Sequence, residues 1–189
     1  MKLRNKNLKI LKSNHVYSEE MEHDACGVGL VASTEGLKSR KVVEYGIDAL
    51  KAVWHRGAID ADGKTGDGAG IHIEIPKDFF EEKIEVTGHK HDNSELCVGM
   101  IFLPRNDYSA QEQCRTMVES ELTKRNFSIY GWRQVPVDPS VLGEKAEQTR
   151  PEITQVLFTY NDKKVINKSL EQKLYETRRV IEKEALNNQ

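Results

Sequence analysis

One cysteine in this chain stands where a nucleophile could work. In Glu22-His23-Asp24-Ala25-Cys26-Gly27-Val28-Gly29-Leu30-Val31, Cys26 opens an apolar run and is followed by Gly-Val-Gly. With almost no side chain around it, a small substrate could approach the sulfur closely. Val28, Leu30 and Val31 are expected to anchor a buried strand behind it. The plainer account is a core cysteine, since free cysteine is among the most buried residue types. Two other stretches invite chemistry and give it less support. Thr65-Gly66-Asp67-Gly68-Ala69-Gly70 looks like a phosphate-cradling loop, but the pattern places a helix before it and a strand after it. Phosphate loops run from strand to helix, and the triphosphate version carries a Lys-Ser/Thr pair that is missing here. His89, His91, Asp92 and Cys97 have no recognised metal-ligand spacing, and Cys97 opens an apolar strand, so no metal is assigned.

The elements that would position Cys26 follow from periodicity. Residues 1–21 carry Lys2, Arg4, Lys6, Lys9 and Lys12, with scattered Leu3, Leu8, Ile10 and Leu11 that form no sustained face. They read as a solvated leader rather than a transit peptide. Ser39 is placed to cap a helix over 39–54, with Val42, Val43, Ile47 and Leu50 in one stripe and Gly57 fitting its C-terminal turn. Ile71, Ile73 and Ile75 alternate with His72 and Glu74, which predicts a strand closed by Pro76. A short helix or turn over 76–83, a strand over 96–103 and a helix capped by Asp107 or Ser109 come next, Cys114 facing the core. A strand over 127–135 follows, with a bend or bulge at Gly131, and 137–140 is a turn or short helix. Residues 144–151 read as a loop, 153–160 as a strand and 169–186 as an amphipathic helix. Strands of alternating character around helical insertions favour an α+β sandwich, mostly antiparallel, over a doubly wound parallel sheet.

Composition bounds the function. At 189 residues, 38% hydrophobic and 31% charged, the chain suits one globular domain. A net charge of -2 implies no nucleic-acid partner, and no apolar run approaches the roughly 20 residues of a membrane span. Cys26, Cys97 and Cys114 are odd in number and far apart, which suits a reducing cytoplasm rather than a disulfide framework.

Three blocks in order, Cys26-Gly-Val-Gly, Trp54-His55-Arg56-Gly57-Ala58 and Thr65-Gly-Asp-Gly-Ala-Gly70-Ile71, resemble the glutaminase domain that begins the large subunit of the glutamate synthases. Trp132 through Pro139 and Val141-Leu142-Gly143 are also similar to that family of class II glutamine amidotransferases. The resemblance implies a four-layer αββα N-terminal-nucleophile hydrolase sandwich, incomplete at the C-terminus. Residues 1–25 would be a leader or propeptide cut away after Ala25, and 26–189 the N-terminal part of the amidotransferase domain. It implies Cys26 as catalytic residue and Arg56 as substrate-binding residue beside it, with glutamine as substrate. Gly66, Gly68 and Gly70 are then expected to permit close backbone packing beside the Cys26 strand. No cofactor falls in this segment. FMN, an iron-sulfur cluster and NADPH or ferredoxin are implied for the full family protein, with the remainder of the large subunit and a glutamate synthase small subunit as partners.

The chain departs from the family pattern in one respect. The Arg-Phe-Ser-Thr-Asn run that holds the glutamine α-carboxylate and the oxyanion-stabilising Asn-Gly of a His-Asn-Gly-Glu run are both absent from residues 1–189. The resemblance therefore implies a piece of a longer protein. Two alternatives stay open: another class II amidotransferase feeding a different synthase, and a non-catalytic interaction module derived from the truncated fold.

Overall fold

The computed structural model describes residues 27–53, 59–91, 94–162 and 168–187. Two compact units divide the chain: residues 1–57 with 69–71, and residues 58–68 with 72–189. In the first unit the regular element is helix α1, Arg40–Ala52. It starts where the sequence predicts, because the Ser39 side chain accepts a hydrogen bond from Lys41 N at 3.2 Å. Its stripe of Val42, Val43, Ile47 and Leu50 is half-buried and none of its residues is fully buried. The expected strand after Cys26 is not formed. Residues 27–32 have no regular structure, and Val28 and Leu30 are 95% and 90% exposed. Residues 71–75 are also irregular, with Ile71 and Ile73 exposed. The physical reason is shared. Alternation marks a segment as fit for a half-buried strand, but the ladder needs a neighbour, and no described strand pairs with either segment.

The second unit is built on an antiparallel three-stranded sheet of order β1-β3-β2, with β1 Leu96–Leu103, β2 Phe127–Gln134 and β3 Glu152–Tyr160. Leu96 faces Thr159 and Leu103 faces Glu152 in the β1/β3 ladder. The β2/β3 register shifts between Ile129 and Gly131, so the bulge foreseen at Gly131 is present. Gly131 takes φ +146°, and a Cβ there would meet Thr87 Cγ2 at 2.9 Å, so glycine is required on both counts.

Helices α2 Lys77–Val86, α3 Tyr108–Lys124 and α5 Lys168–Asn187 supply the cover. On one face, Cys97, Phe127, Val156 and Phe158 pack with Val118 and Leu122 of α3 and Leu170 of α5. On the other, Leu96, Tyr130 and Leu157 pack with Phe80 and Ile84 of α2. Asp107 is the cap that α3 uses, accepting from Ala110 N at 2.9 Å. Between β2 and β3, Pro139–Val141 forms a 3-10 turn, and Glu144–Thr149 forms helix α4 where a loop was expected. Glu, Lys, Ala and Gln are good helix formers, but six residues are too few to nucleate unaided. Their nucleus comes from a distant loop, described below.

Since Leu157 is 1% exposed in the middle strand, Leu157→Ala should lower unfolding free energy by about 2–5 kcal/mol. Urea denaturation measures it, and a loss below about 1 kcal/mol would contradict the packing described.

Candidate active site

Cys26 and the Trp54-His55-Arg56-Gly57-Ala58 block, with the expected Gly57 turn, lie outside the described residues. The third block is visible. Ile59 and Gly66 form an antiparallel bridge, closed by Asp60 N donating to Thr65 O at 2.7 Å. Asp62, at an Asp-Gly turn, organises the interior. Its Oδ1 accepts from Lys64 N at 3.0 Å and Thr65 N at 2.7 Å, and its Oδ2 from the Thr65 hydroxyl at 2.5 Å. These bonds, led by that from Thr65, hold the Asp62 carboxyl well below the ordinary carboxylate range.

This loop is fastened to the start of α4. The N-cap of α4 is Gly143, which has no side chain to offer the first turn. Thr65, itself held by Asp62, does that work across some eighty residues of sequence: its Oγ1 accepts from Ala146 N at 3.4 Å. Lys145 Nζ donates to both oxygens of Asp60, at 2.7 and 2.8 Å, which is the main cause of the lowered Asp60 pKa. Lys64 Nζ donates to Ser140 O at 2.9 Å. The approach is so close that a Cβ on Gly143 would fall onto Thr65 Oγ1 and within 2.5 Å of Asp62 Oδ2 and Thr65 N. For Gly68 and Gly70 the expected close packing is not found. Gly68 and Gly70 have nothing within 4 Å of an added Cβ, and the tight backbone approach is made at Gly143 instead. The Asp62-Gly63 pair was a legible turn signal, whereas nothing local marks Gly143 and Lys145 as its partners.

The remaining candidates separate cleanly. Cys97 is 4% exposed, and burial, with Glu95 and Glu171 nearby, pushes its thiol up to about 12. Cys114 is half-buried rather than fully in the core. His91 Nδ1 lies 3.1 Å from Glu81 Oε1, and His89 Nδ1 lies 3.1 Å from Thr87 Oγ1, each ring edge-on to Tyr130. The two histidines thus serve the junction of α2 with the sheet. Asp92 lies outside the described residues.

Comparison with known proteins places residues 26–189 in a family. The sequence profile of the family described as "Glutamine amidotransferases class-II" matches residues 26–189. This chain belongs to the class II glutamine amidotransferases. It is 52% identical over 177 residues to the glutamate synthase [NADPH] large chain of Azospirillum brasilense, covering 94% of this chain and 12% of that protein. It is 35% identical over 176 residues to the ferredoxin-dependent glutamate synthase of Pyropia yezoensis, covering 93% of this chain and 11% of the relative. The glutamate synthase [NADH] of Saccharomyces cerevisiae is 37% identical over 155 residues, with 78% of this chain and 7% of that protein covered. The chain thus spans about one eighth of the length of these relatives or less. Within the amidotransferase segment, the turn over residues 59–66 that leads into the third block is held by Asp60, Asp62 and the close approach of Gly143.

Two outcomes follow for that loop. Gly143→Ala should cost about 1–3 kcal/mol by overpacking, read by thermal or urea unfolding. Asp60 and Asp62 have folded pKa values below the 3.8 of a free aspartate, so the unfolded chain binds more protons as pH falls. Their contribution is complete above that value and disappears as pH drops through the depressed values. Melting temperature should therefore fall more steeply from about pH 5 to about pH 2 in the wild type than in the Asp60→Asn/Asp62→Asn double variant. Parallel curves would contradict the assignment.

Proposed function

We propose that this chain is the nucleophile-bearing part of a glutamate synthase glutaminase domain, which hydrolyses glutamine to glutamate and ammonia through Cys26. The observation that carries this is the start of the family match at residue 26, the cysteine itself, continued through 94% coverage by a glutamate synthase large chain. Residues 1–25 act as a propeptide. Removal of Ala25 from Cys26 turns a peptide nitrogen into an α-amine with a reference pKa of about 7.7–8.0, a base poised near neutrality. The amine takes the thiol proton, and the thiolate attacks the side-chain amide carbon of glutamine. The α-ammonium returns that proton to the departing nitrogen, so ammonia leaves and a γ-glutamyl thioester remains. Water, deprotonated by the same amine, then cleaves the thioester to glutamate and free Cys26. Arg56 binds the substrate, its guanidinium fixing a carboxylate or carbonyl next to the sulfur.

The architecture proposed is the four-layer αββα sandwich. Such a fold buries a second sheet against the first, which accounts for Met100 and Phe102 on β1 being 49% and 63% exposed. It also accounts for the uncovered apolar residues at 28–30 and 71–73. The ammonia is used to convert 2-oxoglutarate to glutamate elsewhere in the full protein, where FMN, an iron-sulfur cluster and NADPH or ferredoxin belong. The described residues of this segment do not suit such a cluster: Cys97 keeps its proton, and no group of three His, Cys, Asp or Glu converges. The remaining large subunit and a small subunit are the proposed partners, and the cytoplasm the proposed site. Among the described residues no helix is long and apolar enough to cross a membrane.

The electrophile test is a glutamine-derived chloroketone followed by peptide mass mapping. The expected product is a single adduct on Cys26 in a chain whose N-terminus is Cys26, with Cys97 unmodified. An adduct confined to Cys97 or Cys114, or labelled protein still carrying residues 1–25, would sink the proposal. Because the Asn-Gly oxyanion donors do not occur in residues 1–189, glutamine turnover by this chain alone should fall at least about 10²–10³-fold below that of a domain that contains them. A steady-state glutaminase assay reads this directly.

A further inference from the structure

A second site is built on the amino-terminal half of α3 and includes Trp132, at the start of the Trp132–Pro139 stretch. There the strand ends of β2 and β3, the start of α3 and the end of α4 flank an open cleft of about 540 Å³. Arg105, Arg115 and Arg150 line it, together with Trp132, Tyr108 and Thr154. The three guanidinium side chains are 27%, 31% and 20% exposed, so their charges are partly withdrawn from water.

Two atoms in this wall have no partner in the structure. Thr154 is 2% exposed and its Oγ1 makes no hydrogen bond, and the Nε of Arg115 is buried and equally unsatisfied. A buried hydroxyl or guanidinium N–H left unpaired is costly, and such groups are seldom left so without a ligand or water to meet them. The wall is also held in place beforehand. Buried Gln111 donates through Nε2 to Pro104 O at 2.7 Å and Arg105 O at 3.2 Å, and the Arg115 guanidinium stacks over the Trp132 ring at 5.7 Å.

Among the residues that line the cleft, guanidiniums outnumber carboxylates. Glu147 is shared between Arg105 and Arg150, and Arg115 has Glu112, whose side chain is 71% exposed and therefore well screened. Glu152 is the carboxylate of the wall itself, and it accepts from Gln134 Nε2 at 2.5 Å. Arg133 directs its guanidinium to Gln155 Oε1 and the Phe79 ring, and among the described residues it meets no carboxylate. The Trp132 indole N–H donates to Glu119 Oε1 at 2.7 Å, so with Glu112, Glu119 and Glu147 outside the cleft the charges balance, while the lining itself carries four guanidiniums and one carboxylate, Glu152. Guanidiniums present paired N–H groups that match the oxygens of a carboxylate or phosphate.

We propose that this cleft is a binding site for a small oxyanion, held by Arg115, Arg105 and Arg150 with the Thr154 hydroxyl as a further donor. The oxyanion is a carboxylate or a phosphate, and the two are told apart by experiment. The 189-residue chain is titrated with sodium phosphate, sodium succinate and, at matched ionic strength, sodium chloride. The reporter is the indole N–H resonance of Trp132, assigned by its loss in Trp132→Phe. A saturable shift is expected with phosphate, succinate or both, and the responding salt names the ligand class. Arg115→Gln and Thr154→Val should each raise the half-saturating concentration about tenfold or more, the scale of one lost hydrogen bond to a charged group. Far-UV circular dichroism confirms that each variant is folded, and either folded variant alone decides the matter. A shift that does not saturate, is reproduced by chloride, or is unchanged in a folded variant overturns the proposal.

Discussion

Central placement of β3 is the constraint on which the larger unit depends. A strand hydrogen-bonded on both edges and covered on both faces must be apolar in both alternating sets, and residues 154–159 are buried without interruption. Val156 and Phe158 serve the face under α3 and α5, while Leu157 serves the face under α2. Both cores therefore share one backbone, and neither can loosen without the other losing a wall. Polar residues in this strand must accordingly find partners inside: Thr159 Oγ1 donates to Glu95 O at 3.0 Å and Gln155 accepts from Arg133. Thr154 is the exception: its buried hydroxyl has no partner, and the residue lies in the wall of the arginine cleft.

The same economy of partners explains helix α4. A six-residue helix gains few internal hydrogen bonds for the residues it fixes, so it depends on capping from outside itself. Thr65, held by Asp62, supplies that capping, and Lys145 answers with an ion pair to Asp60. The arrangement is reciprocal: the loop gives the helix an N-terminal acceptor, and the helix gives the loop the charge that settles its carboxylates. Gly143 is the geometric condition for both, because any side chain would occupy the space where Thr65 and Asp62 sit.

How much of this was legible in the sequence divides along local and non-local lines. Strand Leu96–Leu103, the Ser39 and Asp107 caps, the Gly131 bulge and helix Lys168–Asn187 all rest on patterns within a few residues, and these were readable. The strands expected after Cys26 and at 71–75 carry the same local pattern, but no described neighbour completes their ladders. Helix α4 failed in the opposite direction, since its decisive acceptor lies some eighty residues earlier. For the candidate site, the blocks around Cys26, Arg56 and Gly66 sufficed to place the chain among the class II glutamine amidotransferases, because motif order survives without coordinates. The anchoring of the third block did not, since periodicity says nothing about which turn meets which helix end.

The contrast among the cysteines shows why placement outweighs residue type. Cys97 sits at the start of a strand in an apolar run, much as Cys26 does in sequence. Folding then buries it between β3 and α5, and desolvation together with two carboxylates keeps its proton in place far above neutral pH. A thiol in that setting cannot serve as a nucleophile, whatever its neighbours in the chain. What would set Cys26 apart is a base on its own backbone, which needs no conserved side chain and no buried charge network to act. A nucleophile of that kind asks little of the surrounding fold except access and a donor for the oxyanion.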